Sequence, residues 1–198
     1  VAGRFSAAAH LLEKSPRLAW ATDTLNDVNG VSRTLTSAAT LARKRSLPLT
    51  VLACESGPPT ADFVCENFAP IWETPVPRYE ELTLRVPPAI EFIEHCEREN
   101  YGRILISTPG PVGLAALAAA KLLGVPTAGI YHTDFPRYVA ALGGDGRLED
   151  LARSYIRWFY RQMDEVLVSS ATYAEELLAM GVERDRLRDL PRGVDLDL

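Results

Sequence analysis

The chain has 198 residues, enough to bury the core of one α/β domain, and carries 21 basic against 26 acidic side chains for a net charge of -5. That balance gives no electrostatic footing for nucleic-acid binding, and the sequence holds no run of about 18 apolar residues that would cross a membrane. Its three cysteines, Cys54, Cys65 and Cys96, are odd in number and lack C-x-x-C spacing. They argue against a metal site or a disulfide framework and for free thiols in a reducing compartment.

Residues 1–16 read as a lead-in or linker from an upstream segment, with one short helix at 7–14 and no signal peptide. The first predicted strand, 18–22, is short, apolar and bounded by Pro16 and Asp23, as a buried parallel strand is. A polar loop leads to Gly30. Beyond it Val31, Leu35, Ala38, Ala39, Leu41 and Ala42 recur at helical spacing, and Arg43, Lys44 and Arg45 close the helix where its dipole favours cations. Asn29-Gly30 therefore sits at a helix N-terminus just past a strand end. Free backbone N–H groups and the positive dipole end make that an anion site, and glycine lets a phosphate come close. The fingerprint G-x-G-x-x-G is absent, which argues against an ordinary NAD domain. A plain strand–loop–helix turn capped by Asn29 accounts for the same residues.

A second strand is predicted at 48–53, followed by the turn Ser56-Gly57-Pro58-Pro59. Residues 69–88 hold Pro70, Pro75, Pro77, Pro87 and Pro88 and read as a short strand and an extended crossing loop. From it Trp72, Arg78 and Tyr79 either line a groove or cover the sheet edge. A helix at 89–100 and a strand at 103–107 follow. Thr108-Pro109-Gly110-Pro111 turns into an alanine-rich helix at 112–123, ended by Gly124 and Pro126. The strand at 126–131 ends in His132-Thr133-Asp134. A short helix at 135–142, a glycine-rich break and an amphipathic helix at 148–161 come next. A strand at 165–168, a helix at 171–180 capped by Ser169-Ser170 and a last strand at 186–190 complete the series.

Strands alternating with helices predict an α/β, Rossmann-like, three-layer fold with a mostly parallel, doubly wound sheet. Ligands in such folds bind beyond the carboxyl ends of the strands, where the strand order reverses. Asn29-Gly30, Thr108 to Gly110 and His132 to Asp134 all fall at such ends.

Four stretches now stand in one order: Thr22-Asp23 through Asn29-Gly30-Val31, Ser107-Thr108-Pro109-Gly110, Tyr131-His132-Thr133-Asp134, and Pro191-Arg192-Gly193-Val194-Asp195. In this order they resemble the N-terminal, acceptor-binding half of the family-four retaining glycosyltransferases of the GT-B fold. The flavour is that of enzymes that glycosylate lipids or build cell-envelope mannosides. The resemblance implies that 17–190 is the N-terminal domain and that 191–198 begins the linker to a C-terminal donor domain, the protein's main partner, which is missing here. It implies a nucleotide-diphosphate sugar as donor, a lipid or glycan acceptor, no metal or other cofactor, and work in the cytoplasm, at the inner face of the membrane for a lipid acceptor. The fragment alone is then expected to bind sugar nucleotide weakly and not to turn over.

Within that resemblance Gly30 and Val31 offer backbone N–H groups to the donor diphosphate. His132 matches the family histidine near the reacting sugar, holding the donor sugar or orienting the acceptor. The family reaction is a front-face displacement in which the leaving phosphate takes the acceptor proton, so no protein nucleophile is needed. Asp23, Asn29, Tyr79, Thr108, Thr133, Asp134 and Arg137 form the substrate-facing set. Their residue types leave plainer roles open: Asp23 can orient the glycine loop, Asn29 and Asp134 can cap helices, and Arg137 can be a solvated helix arginine. His132 can be a capping or core histidine. The run Arg43-Lys44-Arg45 either meets anionic lipid, a peripheral membrane contact, or is a solvated helix end. His10 and His95 fall on ordinary helical stretches. Two other readings compete: half of a sugar-nucleotide epimerase, whose acid–base cluster the sequence does not display, and a non-catalytic α/β ligand-binding or regulatory module fused to another enzyme.

Overall fold

The computed structural model describes residues 17–27, 30–58, 62–76, 79–131 and 146–190. In chain order these form β1 (Leu18–Ala21), α1 (Gly30–Lys44), β2 (Leu49–Ala53), β3 (Cys65–Asn67), β4 (Trp72–Val76), β5 (Tyr79–Val86) and α2 (Ala89–Glu99). Then come β6 (Arg103–Ile106), α3 (Pro111–Leu123), β7 (Thr127–Tyr131), α4 (Gly146–Arg161), β8 (Glu165–Val168), α5 (Ala171–Ala179) and β9 (Leu187–Asp189). The expected short helix at 135–142, the lead-in and the linker lie outside the described residues.

Seven strands build one parallel sheet in the order β3-β2-β1-β6-β7-β8-β9. The order reverses between β1 and β6, as the doubly wound expectation requires. Every residue of β1 is buried, because helices cover both faces of a parallel sheet. Successive strand residues point to opposite faces. Ala19 and Ala21 join Phe92 of α2, Ala116 of α3 and Phe159 of α4 on one side. Leu18 and Trp20 join Leu35 and Ala39 of α1 on the other. The alanines of α3 let it lie close to the sheet. At Gly113 the approach is so tight that a Cβ would stand 1.9 Å from the Thr108 carbonyl oxygen.

Two elements differ from the sequence reading. Residues expected as a short strand and crossing loop form an antiparallel hairpin, with Trp72 opposite Val86 and Thr74 opposite Leu84. Pro75 is tolerated there because a two-stranded ribbon leaves outer edges that need no N–H donor, and the register shifts beside it. The edge strand β3, three half-buried residues, was not anticipated; it is too short to show a period.

Candidate active site

The end of β1 and the end of β6 meet at the reversal of strand order. Trp20 Nε1 donates to Ser107 Oγ at 2.5 Å, and the Ser107 N–H donates to the Ala21 carbonyl at 3.0 Å. One residue further, the two strand ends are tied side chain to side chain. Thr108 Oγ1 donates to Asp23 Oδ2 at 2.6 Å and accepts the Asp23 N–H at 2.9 Å.

The same carboxylate caps α3. Val112 N–H donates to Oδ1 at 2.7 Å and Gly113 N–H to Oδ2 at 3.3 Å. The α3 N-cap position is Gly110, which has no side chain to offer, and Pro111 occupies the first turn. Glycine is required at 110 by the carboxylate itself: a Cβ there would stand 2.5 Å from Asp23 Cγ. Burial pushes the Asp23 carboxyl up to about 6, against the opposing pull of these hydrogen bonds. The Tyr155 hydroxyl of α4 donates to the Pro109 carbonyl and fixes the same turn from outside. The positive end of α3 is thus filled by the protein's own anion.

The positive end of α1 is different. Gly30 is exposed, and among the described residues no atom outside its chain neighbours and its own helix turn stands within 4 Å of the place where its Cβ would be. The loop before it is held from behind. Thr24 N–H donates to Thr22 Oγ1 at 3.2 Å, Leu25 is buried in the core, and Ser32 Oγ donates to the Leu25 carbonyl at 2.6 Å. Val31 is half-buried beside this anchored turn.

A third group of side chains, not singled out in the sequence, borders the loop. Glu55, just past β2, is buried with 5% of its surface exposed. Asn26 hydrogen-bonds its carboxylate. Arg85 Nη1 of the hairpin lies 3.1 Å from Glu55 Oε2, and Arg85 Nε 3.5 Å from Glu73 Oε2. Burial raises both the Glu55 and the Asp27 carboxyls, and Arg85 opposes the rise in each. Burial and the nearby carboxylates, Asp23 first, push the Cys54 thiol up to about 12, so it is an inert core sulfur. An acidic residue just past a predicted strand was the one trace of this cluster in the sequence.

Of the residues expected at the site, Asp23, Gly30, Val31 and Thr108 are brought to this rim. Tyr79 opens β5, paired with Val76. Trp72 is 57% exposed on the hairpin. Asn29, Arg78, His132, Thr133, Asp134 and Arg137 lie outside the described residues. Among the described residues no three His, Cys, Asp or Glu side chains form a group that could hold a metal. No helix among them is long and apolar enough to cross a membrane.

Known proteins bear on this crevice. The sulfoquinovosyl transferase SQD2 of Arabidopsis thaliana is 33% identical over 122 residues, 61% of this chain and 24% of that protein. A GDP-mannose-dependent alpha-mannosyltransferase of Mycobacterium tuberculosis is 28% identical over 180 residues, 87% of this chain and 46% of that protein. The crystal structure of Anabaena Alr3699/HepE with UDP and glucose superposes with a TM-score of 0.62 at 11% identity, over 91% of this chain and 45% of that one. The UDP-GlcNAc 2-epimerase of Methanocaldococcus jannaschii superposes at 0.55 with 12% identity, over 87% and 45%. These solved structures share the fold, one half of a GT-B pair of Rossmann-like domains. The chain spans under half the length of each of these relatives. The profile of Glycosyltransferase Family 4 matches residues 28–198. The chain belongs to glycosyltransferase family 4.

Proposed function

We propose that this domain forms the acceptor-side half of a retaining glycosyltransferase that takes a sugar from a nucleotide-diphosphate donor to a lipid or glycan acceptor. The observation that carries the reading is the asymmetry of the two helix ends at the crevice. The α3 end is filled by Asp23, while at the α1 end Gly30 is exposed and, among the described residues outside its own helix turn, nothing lies within 4 Å of its Cβ position. A helix N-terminus opened by an exposed glycine suits a diphosphate. Gly30 and Val31 are its backbone donors, and the α1 dipole stabilises the charge that grows on the leaving phosphate.

His132 holds the donor sugar or orients the acceptor hydroxyl. Asn29, Tyr79, Thr133, Asp134 and Arg137 supply further substrate contacts. The leaving phosphate accepts the acceptor proton, so the mechanism calls on no protein nucleophile and no metal. The remaining donor contacts come from a second domain, and residues 1–198 alone bind donor weakly and do not turn over. The donor base is set in that second domain. One relative is named for GDP-mannose and solved neighbours were crystallised with UDP, so both bases belong in the test.

The test is a screen of GDP- and UDP-sugars on the full-length protein, wild type against His132→Ala. Turnover is expected with one donor class, falling on the order of 10²-fold in the variant at unchanged thermal stability. Undiminished turnover in His132→Ala contradicts the assignment of that histidine. Absence of any transfer contradicts the function.

A further inference from the structure

The geometry points to Asp23 as a positioning residue: its carboxylate is a built-in anion that locks the end of β1 to the tip of α3 and so fixes the loop presenting Gly30. Among the described residues, the hydrogen bonds of this side chain go to the protein's own groups, Thr108 Oγ1 and the backbone N–H groups of Gly110, Val112 and Gly113. A carboxylate held by a hydroxyl and by helix N–H groups is poorly placed to bind an acceptor hydroxyl as well. Thr108 is engaged in the same way, donating to the carboxylate and accepting the Asp23 N–H.

What the lock controls follows from the chain beyond it. Asp23 is the first residue of the loop. Within the next four residues Thr24 bonds back to Thr22, Leu25 enters the core and Asn26 reaches Glu55. The Leu25 carbonyl then takes the Ser32 hydroxyl in the first turn of α1. The position of the α1 tip is therefore referred, contact by contact, to the α3 tip across the strand reversal. Preorganisation of this kind matters because a loop free to move must be ordered when the diphosphate arrives, which weakens binding. Gly110 is the other half of the device, since any side chain there would displace the carboxylate.

The experiment uses the full-length protein with Asp23→Ala, which empties the carboxylate's place at the α3 tip, and formate as the added carboxylate. UDP and GDP binding are measured by calorimetry, and backbone order parameters of Gly30, Val31 and Ser32 by NMR. The nucleotide readout rests on the proposed diphosphate role of Gly30; the order parameters do not. Binding is expected to fall about tenfold or more, and formate to restore most of it while leaving wild type unaffected. The order parameters are expected to drop from rigid values towards about 0.6 and to recover with formate. Thr108→Val, which removes the hydroxyl bonded to Asp23, should lower nucleotide affinity and the order parameters in the same direction as Asp23→Ala, by a smaller amount. If melting temperature falls while nucleotide affinity and order parameters stay put, Asp23 is a plain helix cap and the inference is wrong. If affinity is unchanged and only the acceptor KM rises, Asp23 touches acceptor and the inference is equally wrong. If wild type binds neither nucleotide, the proposed function fails, and the order parameters alone decide the lock.

Discussion

Glu55 and Arg85 join the end of β2 to the hairpin, with Oε2 and Nη1 3.1 Å apart. Glu55 is buried and receives Asn26 as well, so this pair holds three segments of the rim together. Removing the arginine leaves a buried carboxylate without its countercharge, which is costlier than losing an exposed ion pair. Because Arg85 keeps 21% of its side chain exposed, solvent screens the pair and the cost falls below that of a fully buried one. Arg85→Ala is expected to destabilise the domain by about 2 kcal/mol in urea unfolding. Arg85→Ala combined with Glu55→Gln should be milder than Arg85→Ala alone. A double variant at least as destabilised as Arg85→Ala alone contradicts this account of the pair.

Gly113 separates packing from function. A methyl group there meets the Thr108 backbone at 1.9 Å, and backbone cannot step aside as a flexible side chain can. Gly113→Ala should therefore cost on the order of 3 kcal/mol, with a melting temperature lowered in proportion. A variant as stable as wild type would mean that α3 does not sit against the Thr108 turn as described.

The acid response has two contributions of opposite sign. Arg98 can only donate to His95 Nδ1, 3.0 Å away, so Nε2 carries the proton and donates to the Tyr101 hydroxyl at 2.9 Å. Burial first, and Arg98 after it, lower the His95 pKa below 6.5; Glu66 opposes them. The unfolded chain then takes up the proton before the folded one does. The stability this histidine contributes is present above pH 6.5 and is lost as pH falls below it. Asp23 acts the other way. Its folded value, about 6, exceeds the unfolded 3.8, so its contribution to stability rises as pH falls from about 6 to 3.8. Urea midpoints between pH 7 and 5 should show His95→Gln losing less stability on acidification than wild type, by no more than about 1.4 kcal/mol per pH unit. Asp23→Asn should lose more than wild type. Identical pH slopes in all three proteins contradict both assignments.

Much of this fold can be read from sequence because buried parallel strands are unbroken apolar runs. Leu-Ala-Trp-Ala and Arg-Ile-Leu-Ile carry their strand assignment in a few residues. The end of α3 was legible too: Gly124 adopts the left-handed conformation that ends a helix, whereas Asn100, expected as the last residue of its helix, is the left-handed cap just beyond it. The hairpin was hidden because its prolines outweigh its alternation, and nothing local reveals that Trp72 will pair with Val86. The Asp23–α3 lock was hidden by distance, since its partners are 85 to 90 residues away in the chain. A clue did exist. A helix that begins Gly-Pro has no side chain at its cap position and must take a cap from elsewhere. Glu55 and Arg85 were hidden for the same reason, for a charge pair between separate loops has no period.

The most direct test of the open α1 tip is calorimetry of UDP and GDP binding to full-length Gly30→Ala beside wild type. Alanine at this first helical position meets no described atom outside its chain neighbours and its own helix turn and gains helix propensity, so melting temperature should hold or rise slightly. Nucleotide affinity should nevertheless fall at least about tenfold, because the methyl group stands where the diphosphate must approach the helix N–H groups. Unchanged affinity in a fully folded Gly30→Ala protein would contradict the diphosphate site at this helix end.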